Sequence, residues 1–125
     1  MALIRSLALA LLLFTDIASA RMLMRTATSS VGDFYGYESE IERHGQYRRY
    51  WEVRIFKRNR QFGWHSSFSQ VDIDCANRTR RVLQVIWKRG ATGLGQPTLR
   101  QWRTDPWVGI VPGGLFDRIL IHICK

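Results

Sequence analysis

The sequence predicts one mainly antiparallel β domain whose C-terminal element is tied back to a strand end by a disulfide. Three observations point there. Runs with strand-like alternation occur at Tyr47–Lys57, Trp64–Cys75 and Thr79–Trp87, with turn-forming or basic segments between them. The 125 residues include only two cysteines, Cys75 and Cys124, the first closing one of those runs. Residues 1–20 read as a cleavable export signal, which delivers both cysteines to a compartment where thiols pair.

The signal has three parts. Met1 to Arg5 carries one positive charge, Ser6 to Phe14 is a short apolar run, and Ala18-Ser19-Ala20 supplies small residues for a cut before Arg21. The apolar run falls short of the roughly 20 residues needed to span a bilayer, and Asp16 interrupts its continuation. No cysteine follows the cut, so lipid attachment is not expected. The expected location is outside the cytoplasm: periplasmic, secreted or associated with the cell surface. After the cut, residues 21–125 suffice for one domain and not two. Residues 21–32 are polar and without clear period, and are expected to form a flexible leader to a domain at 33–125.

A hydrophobic content of 46% with five Trp argues against disorder, and no later segment is apolar enough for a membrane span. Lys and Arg number 19 against 10 Asp and Glu, a formal net charge of +9. The only lysines are Lys57, Lys88 and Lys125, so the charge is carried almost wholly by arginine. Guanidinium groups pair bidentately with carboxylate, sulfate-like and phosphate oxygens and stack on aromatic rings, which suits anionic partners.

Phe34–Tyr37 reads as a short aromatic strand with a glycine break, and Gly45 after Ile41–His44 as a turn. In Tyr47–Lys57, Trp51, Val53 and Ile55 alternate with Glu52, Arg54 and Phe56. That pattern predicts one apolar face and one wet, charged face. The second strand, ending at Cys75, is expected to form a hairpin with it across the basic Lys57–Gly63 loop. Val82, Leu83, Val85 and Ile86 mark the third strand, and the Gly90–Pro97 stretch a loop. Trp102–Asp105 is short and ends at Pro106; Pro112-Gly113-Gly114 breaks the chain again. The tail from Leu115 fits two patterns. Leu115, Phe116, Ile119, Leu120 and Ile123 form a helical stripe, while Ile119, Ile121 and Ile123 alternate as a strand.

Several groups invite a chemical reading. A small secreted nuclease would need a general base, a general acid and a cation; His65 and His122, with Lys57 or Arg81 and with Glu52 as a substitute base, are the candidates. No spacing links them. Asp72 and Asp74 share a strand face and are better read as neutralising arginines, Arg54 across a hairpin among them. Asn77-Arg78-Thr79 is a glycosylation sequon, and Gly90–Gly95 lacks the Lys-Ser/Thr of a phosphate loop. No metal motif or cofactor motif is present, so no cofactor is expected. Arginines interleave with aromatics at Tyr47–Trp51, Trp87–Arg89 and Trp102–Arg103. The expected contact surface is Arg48, Arg49, Lys57, Arg58, Arg60, Arg80 and Arg81, and the expected partners are acidic proteins, glycans or envelope components. Export disfavours nucleic acid as the physiological partner.

Four blocks carry a family likeness: IERHGQYRRYWEVRIFK (Ile41–Lys57), SSFSQVDIDC (Ser66–Cys75), RTRRVLQVIWKRGATGLG (Arg78–Gly95) and PWVGIVPGGLFDRILIHIC (Pro106–Cys124). In order, with Asp-Cys in the middle and Cys at the end, they resemble the surface-adhesin protein E family of Gram-negative bacteria. The resemblance implies an α+β fold, an antiparallel sheet with a C-terminal helix held against it by Cys75–Cys124. It also implies a non-enzymatic binding role, with a small hydrolase or a structural periplasmic protein as alternatives.

Overall fold

A computed structural model describes residues 23–57, 64–89 and 97–125. The signal segment, Arg58, Arg60 and the Gly90–Gly95 stretch lie outside the described residues. Among the described residues, eight antiparallel strands form one sheet: β1 (Leu23–Thr28), β2 (Phe34–Glu38), β3 (Glu42–His44), β4 (Tyr47–Ile55), β5 (Ser66–Asp74), β6 (Thr79–Lys88), β7 (Pro97–Trp102) and β8 (Val108–Gly109). One helix, α1 (Leu115–Ile123), follows. The spatial order is β1-β2-β4-β5-β6-β7, with β3 continuing β2's side of β4 and β8 pairing with β6. The three runs with the clearest alternation are the long central strands, and β4 pairs with β5 as expected.

The turns follow from local chemistry. Gly45 takes a positive φ of 62° in the two-residue connection between β3 and β4, a conformation that costs glycine little. Between β5 and β6, Asp74 closes the turn: its carboxylate accepts the Asn77 N–H at 3.1 Å and the Asn77 amide at 2.8 Å. Hydrogen bonding to the Asn77 backbone is the main cause that holds the Asp74 carboxyl below its ordinary range. The sequon asparagine is therefore exposed in a tight turn.

Residues 21–32 are not a flexible leader where described. Leu23–Thr28 pairs with β2 as the sheet's edge, and α1 packs against it. The segment shows no strong period because its pairing comes from β2's backbone and not from a hydrophobic stripe of its own. Edge strands β7 and β8 escaped the sequence reading for the same reason.

The helical pattern wins in the tail. Ile119, Leu120 and Ile123 are buried, while Ile121, which a strand would have turned inward with them, is 54% exposed. The Pro112-Gly113-Gly114 break supplies the entry to the helix. Gly113 adopts φ 75°, and its N–H donates to the Asp117 carboxylate at 2.7 Å in the helix's first turn. Asp117 also pairs with Arg78 of the β5–β6 turn, tying the helix start to the sheet.

The covered face of the sheet is the reverse of the one the alternation suggested. The helix packs on the side bearing Tyr50, Val71 and Ile73, joined by Tyr35 and Tyr37 of β2. By strict alternation this is also the side of Glu52 and Arg54. Trp51, Val53 and Ile55 point to the opposite face. Charged residues tolerate the covered side because they are paired there, as described below. A bulge at Leu83 lets Val82 face Val71 and Val85 face Ser69, keeping both valines on the helix side.

Cys124, just past the helix, is bonded to Cys75, just past β5, with Cα atoms 5.8 Å apart. The sequence separation is 49 residues. In the chain-entropy view, closing such a loop contributes about 4 kcal/mol. Replacing both cysteines with serine is expected to lower unfolding stability by about 2–4 kcal/mol in urea titrations. A loss below about 1 kcal/mol would mean that the helix stays docked without the bond.

Candidate binding surfaces

Adjacent residues in a strand point to opposite faces, so the predicted basic patch is divided by the sheet. Arg48 and Arg80 flank Ile73 on the helix side; Arg49 and Arg81 flank Asp72 on the open side. Lys57 is exposed just beyond β4, and Arg58 and Arg60 follow it outside the described residues. The seven residues do not assemble into one surface. Each face must be judged separately.

On the open face, Asp72 is 1% exposed and serves two guanidiniums. Arg49 donates through Nε at 2.8 Å, and Arg81 donates to Oδ2 at 3.1 Å. Burial alone would raise the Asp72 carboxyl, but the hydrogen bonds and charges of Arg49 and Arg81 overcome it and hold the group below its usual range. Arg81 also lies over the Trp107 ring at 4.4 Å, and Trp107 packs on Tyr47. Two further cations of this face sit over aromatic rings, Lys88 over Phe68 at 4.1 Å and Arg100 over Trp102 at 5.6 Å, while Arg89 lies over Trp64 at 5.4 Å beside Trp87 of the helix side. Trp102 is 72% exposed.

On the helix side, a buried network crosses the middle of the sheet. The Tyr50 hydroxyl donates to Glu52 at 2.7 Å, and Arg80 donates to both Glu52 oxygens at 2.9 and 3.0 Å. The Arg80 guanidinium rests on the Phe116 ring, 3.8 Å from its centre. Burial, reinforced by the Glu52 charge, pushes the Tyr50 hydroxyl well above its ordinary range, so it remains a donor. The expected partner of Asp72 or Asp74, Arg54, instead binds Asp33 at 2.8 Å and lies between the rings of Tyr35 and Phe56. Its own strand face carries neither aspartate.

Beyond this network the helix ends and the sheet is open. A cleft of about 170 Å3 lies there. Ser67, Ser69 and Val85 form its floor, Trp87 and Phe116 face it, and Arg54, Arg80 and Arg103 contribute charge. Phe56 stacks on Trp87 and Trp64 leans on it, fixing the indole in place. The Trp87 indole N–H donates to Gln101 at 3.1 Å. The sequence contained the Trp87–Lys88–Arg89 cluster, but nothing in it indicated that Ser67 and Arg54 would sit beside Trp87. That juxtaposition depends on the registers of β4–β5 and β5–β6.

The nuclease residues do not converge. His65 precedes β5, whereas His122 sits near the C-terminal end of α1, two residues from the Cys124 bond to Cys75 beyond the far end of that strand. A strand of nine residues is about 30 Å long, so the two histidines lie at opposite ends of the sheet. Glu52 is committed to Tyr50 and Arg80.

Two expectations follow. Asp72 has a depressed folded-state pKa, so its stabilising contribution is present above its unfolded value of about 3.9 and is lost as pH falls through the folded value. Asp72→Asn is expected to cost about 2 kcal/mol at pH 7 and to flatten the loss of stability below pH 4, measured by urea unfolding at pH 7 and pH 3. Arg80→Leu strands a buried carboxylate and is expected to cost about 3–5 kcal/mol; adding Glu52→Gln should restore part of it. Additive losses in that double variant would deny the pair its coupling.

Among the described residues, no helix is long and apolar enough to cross a membrane. In comparison with known proteins, residues 22–125 match the family described as surface-adhesin protein E. No curated protein and no solved structure matched the chain. The family description is of a surface adhesin, an exported or cell-surface role built on binding. The match takes in every described strand and the helix, and the chain belongs to the surface-adhesin protein E family.

Proposed function

We propose that this is an exported, non-enzymatic binding protein that holds acidic host-matrix or envelope components by electrostatic attraction. The observation that supports the reading best is how the charges are used. Asp33, Glu52, Asp72, Asp105 and Asp117 are each already paired with arginine. Lys88, Arg89 and Arg100 lie over aromatic rings, and among the described residues no carboxylate pairs with them. Asp72 serves two arginines and leaves a net positive charge at its own site. The chain as a whole carries a formal surplus of +9, and the open face gathers Arg49, Arg81, Lys88 and Arg100 on neighbouring strands. Of the sequence-predicted patch, Arg49 and Arg81 belong to this face. Lys57 would extend the field at the end of β4. Arg48 and Arg80 would not contribute to the same contact.

Such binding depends on ionic strength, because charges at an exposed surface are screened beyond about 10 Å at 0.1 M salt. Retention on immobilised heparin, an acidic polymer, should fall steeply as salt rises from about 0.05 to 0.5 M. A Lys88→Glu/Arg100→Glu variant should elute earlier than the parent protein. Retention that does not change with salt would contradict an electrostatic partner.

A further inference from the structure

The cleft on the helix side differs in kind from the open basic face. Its lining holds three guanidiniums, each paired with a carboxylate: Arg54 with Asp33, Arg80 with Glu52 and Arg103 with Asp105. Arg54 and Arg103 remain partly exposed, which leaves an accessible edge on each for an anion. Charge is not the only feature. Ser67 is 5% exposed and Tyr35 8% exposed, yet both line the cleft. No described residue hydrogen-bonds to either hydroxyl, and both oxygens reach solvent. Burial raises the Tyr35 phenol above its ordinary range, so it remains a donor at physiological pH.

The walls are aromatic. Trp87 is held by Phe56, Trp64 and Gln101, and Phe116 forms the opposite wall at the start of α1. The floor adds Val82 and Val85. Rigid aromatic walls, accessible hydroxyls and the exposed edges of Arg54 and Arg103 together match a ring that carries hydroxyls on its rim and an acidic substituent. The volume of about 170 Å3 is below the roughly 300–1,000 Å3 of pockets that enclose a drug-sized ligand. It admits one ring and leaves the rest of a chain outside.

We propose that this cleft binds a single acidic sugar residue, a uronate or sulfated ring, of a longer glycan. Trp87 packs against the ring, Ser67, Ser69 and Tyr35 meet its hydroxyls, and the accessible edges of Arg54 and Arg103 hold its anionic group. The inference rests on the reading that acidic partners are engaged, and it adds a specific subsite to that general attraction.

The test uses the exported, oxidised protein labelled with 15N and titrated with a heparin-derived disaccharide. Saturable shifts are expected at the Trp87 indole and at the amides of Ser67, Ser69 and Arg103. Ser67→Val and Arg103→Ala should each weaken the disaccharide about tenfold, roughly the size of one lost hydrogen bond, while Arg118→Ala, on the exposed side of α1, leaves it unchanged. Neutral cellobiose and inorganic sulfate should each give far smaller effects. Equal shifts with sulfate alone, or shifts centred on Lys88 and Arg100, would overturn the subsite. Retention on heparin without any response at the cleft would overturn this inference alone; loss of both would overturn the electrostatic reading as well.

Discussion

One short helix has to cover one long sheet, and it reaches across only part of it. The nine residues of α1 span about 13 Å, whereas the central strands of nine and ten residues run to about 30 Å. The Cys75–Cys124 bond decides which part is covered. It anchors the helix end at the β5–β6 turn, so Tyr37, Tyr50, Val71 and Ile73 are enclosed and the opposite end of the same face is left to solvent. The cleft is a direct consequence of that arrangement. It begins beyond the first turn of the helix, at Phe116.

The boundary between the covered and open halves is the Tyr50–Glu52–Arg80 network. Removing charges from water costs several kcal/mol per ion, and such a pair survives only when its hydrogen bonds are satisfied. Both Glu52 oxygens are satisfied, and the flat guanidinium of Arg80 is received by the Phe116 ring. The network therefore serves as the polar end of the core and also as one wall of the cleft. On the other face, the buried Asp72 performs a similar task for Arg49 and Arg81, which lie nearer to water than Arg80 and keep surplus charge there. A strongly arginine-rich chain is thus accommodated by placing its few carboxylates between arginines and letting aromatic rings receive the remainder.

The long strands were legible because a period of two survives in any single segment: Tyr47–Ile55, Ser66–Asp74 and Thr79–Lys88 announce themselves. The pairing of two cysteines in an exported chain was legible from their number. The tail was not decided by its own pattern, since its isoleucines fit both periods; packing decided it, by leaving Ile121 outside. The choice of covered face was misread for a related reason. Trp51, Val53 and Ile55 look like the core side of β4, and Glu52 and Arg54 like the wet side. What reverses the reading is Arg80, 28 residues away from Glu52 in sequence, and Asp33, 21 residues from Arg54. No local pattern contains those partners. The same blindness to register merged Arg48 with Arg49 and Arg80 with Arg81, which the pleat separates.

The position of the helix carries the whole account, and it can be measured directly. Nuclear Overhauser contacts of the Phe116 ring in the oxidised protein should reach Tyr35 and the Arg80 side chain, and those of Ile119 and Ile123 should reach the enclosed core around Tyr50, Val71 and Ile73. Ile119, Leu120 and Ile123 should show none to Trp87 or Ser67. Contacts from those helix residues to Trp87 would place α1 over the cleft and contradict the division of the sheet on which the binding surfaces depend.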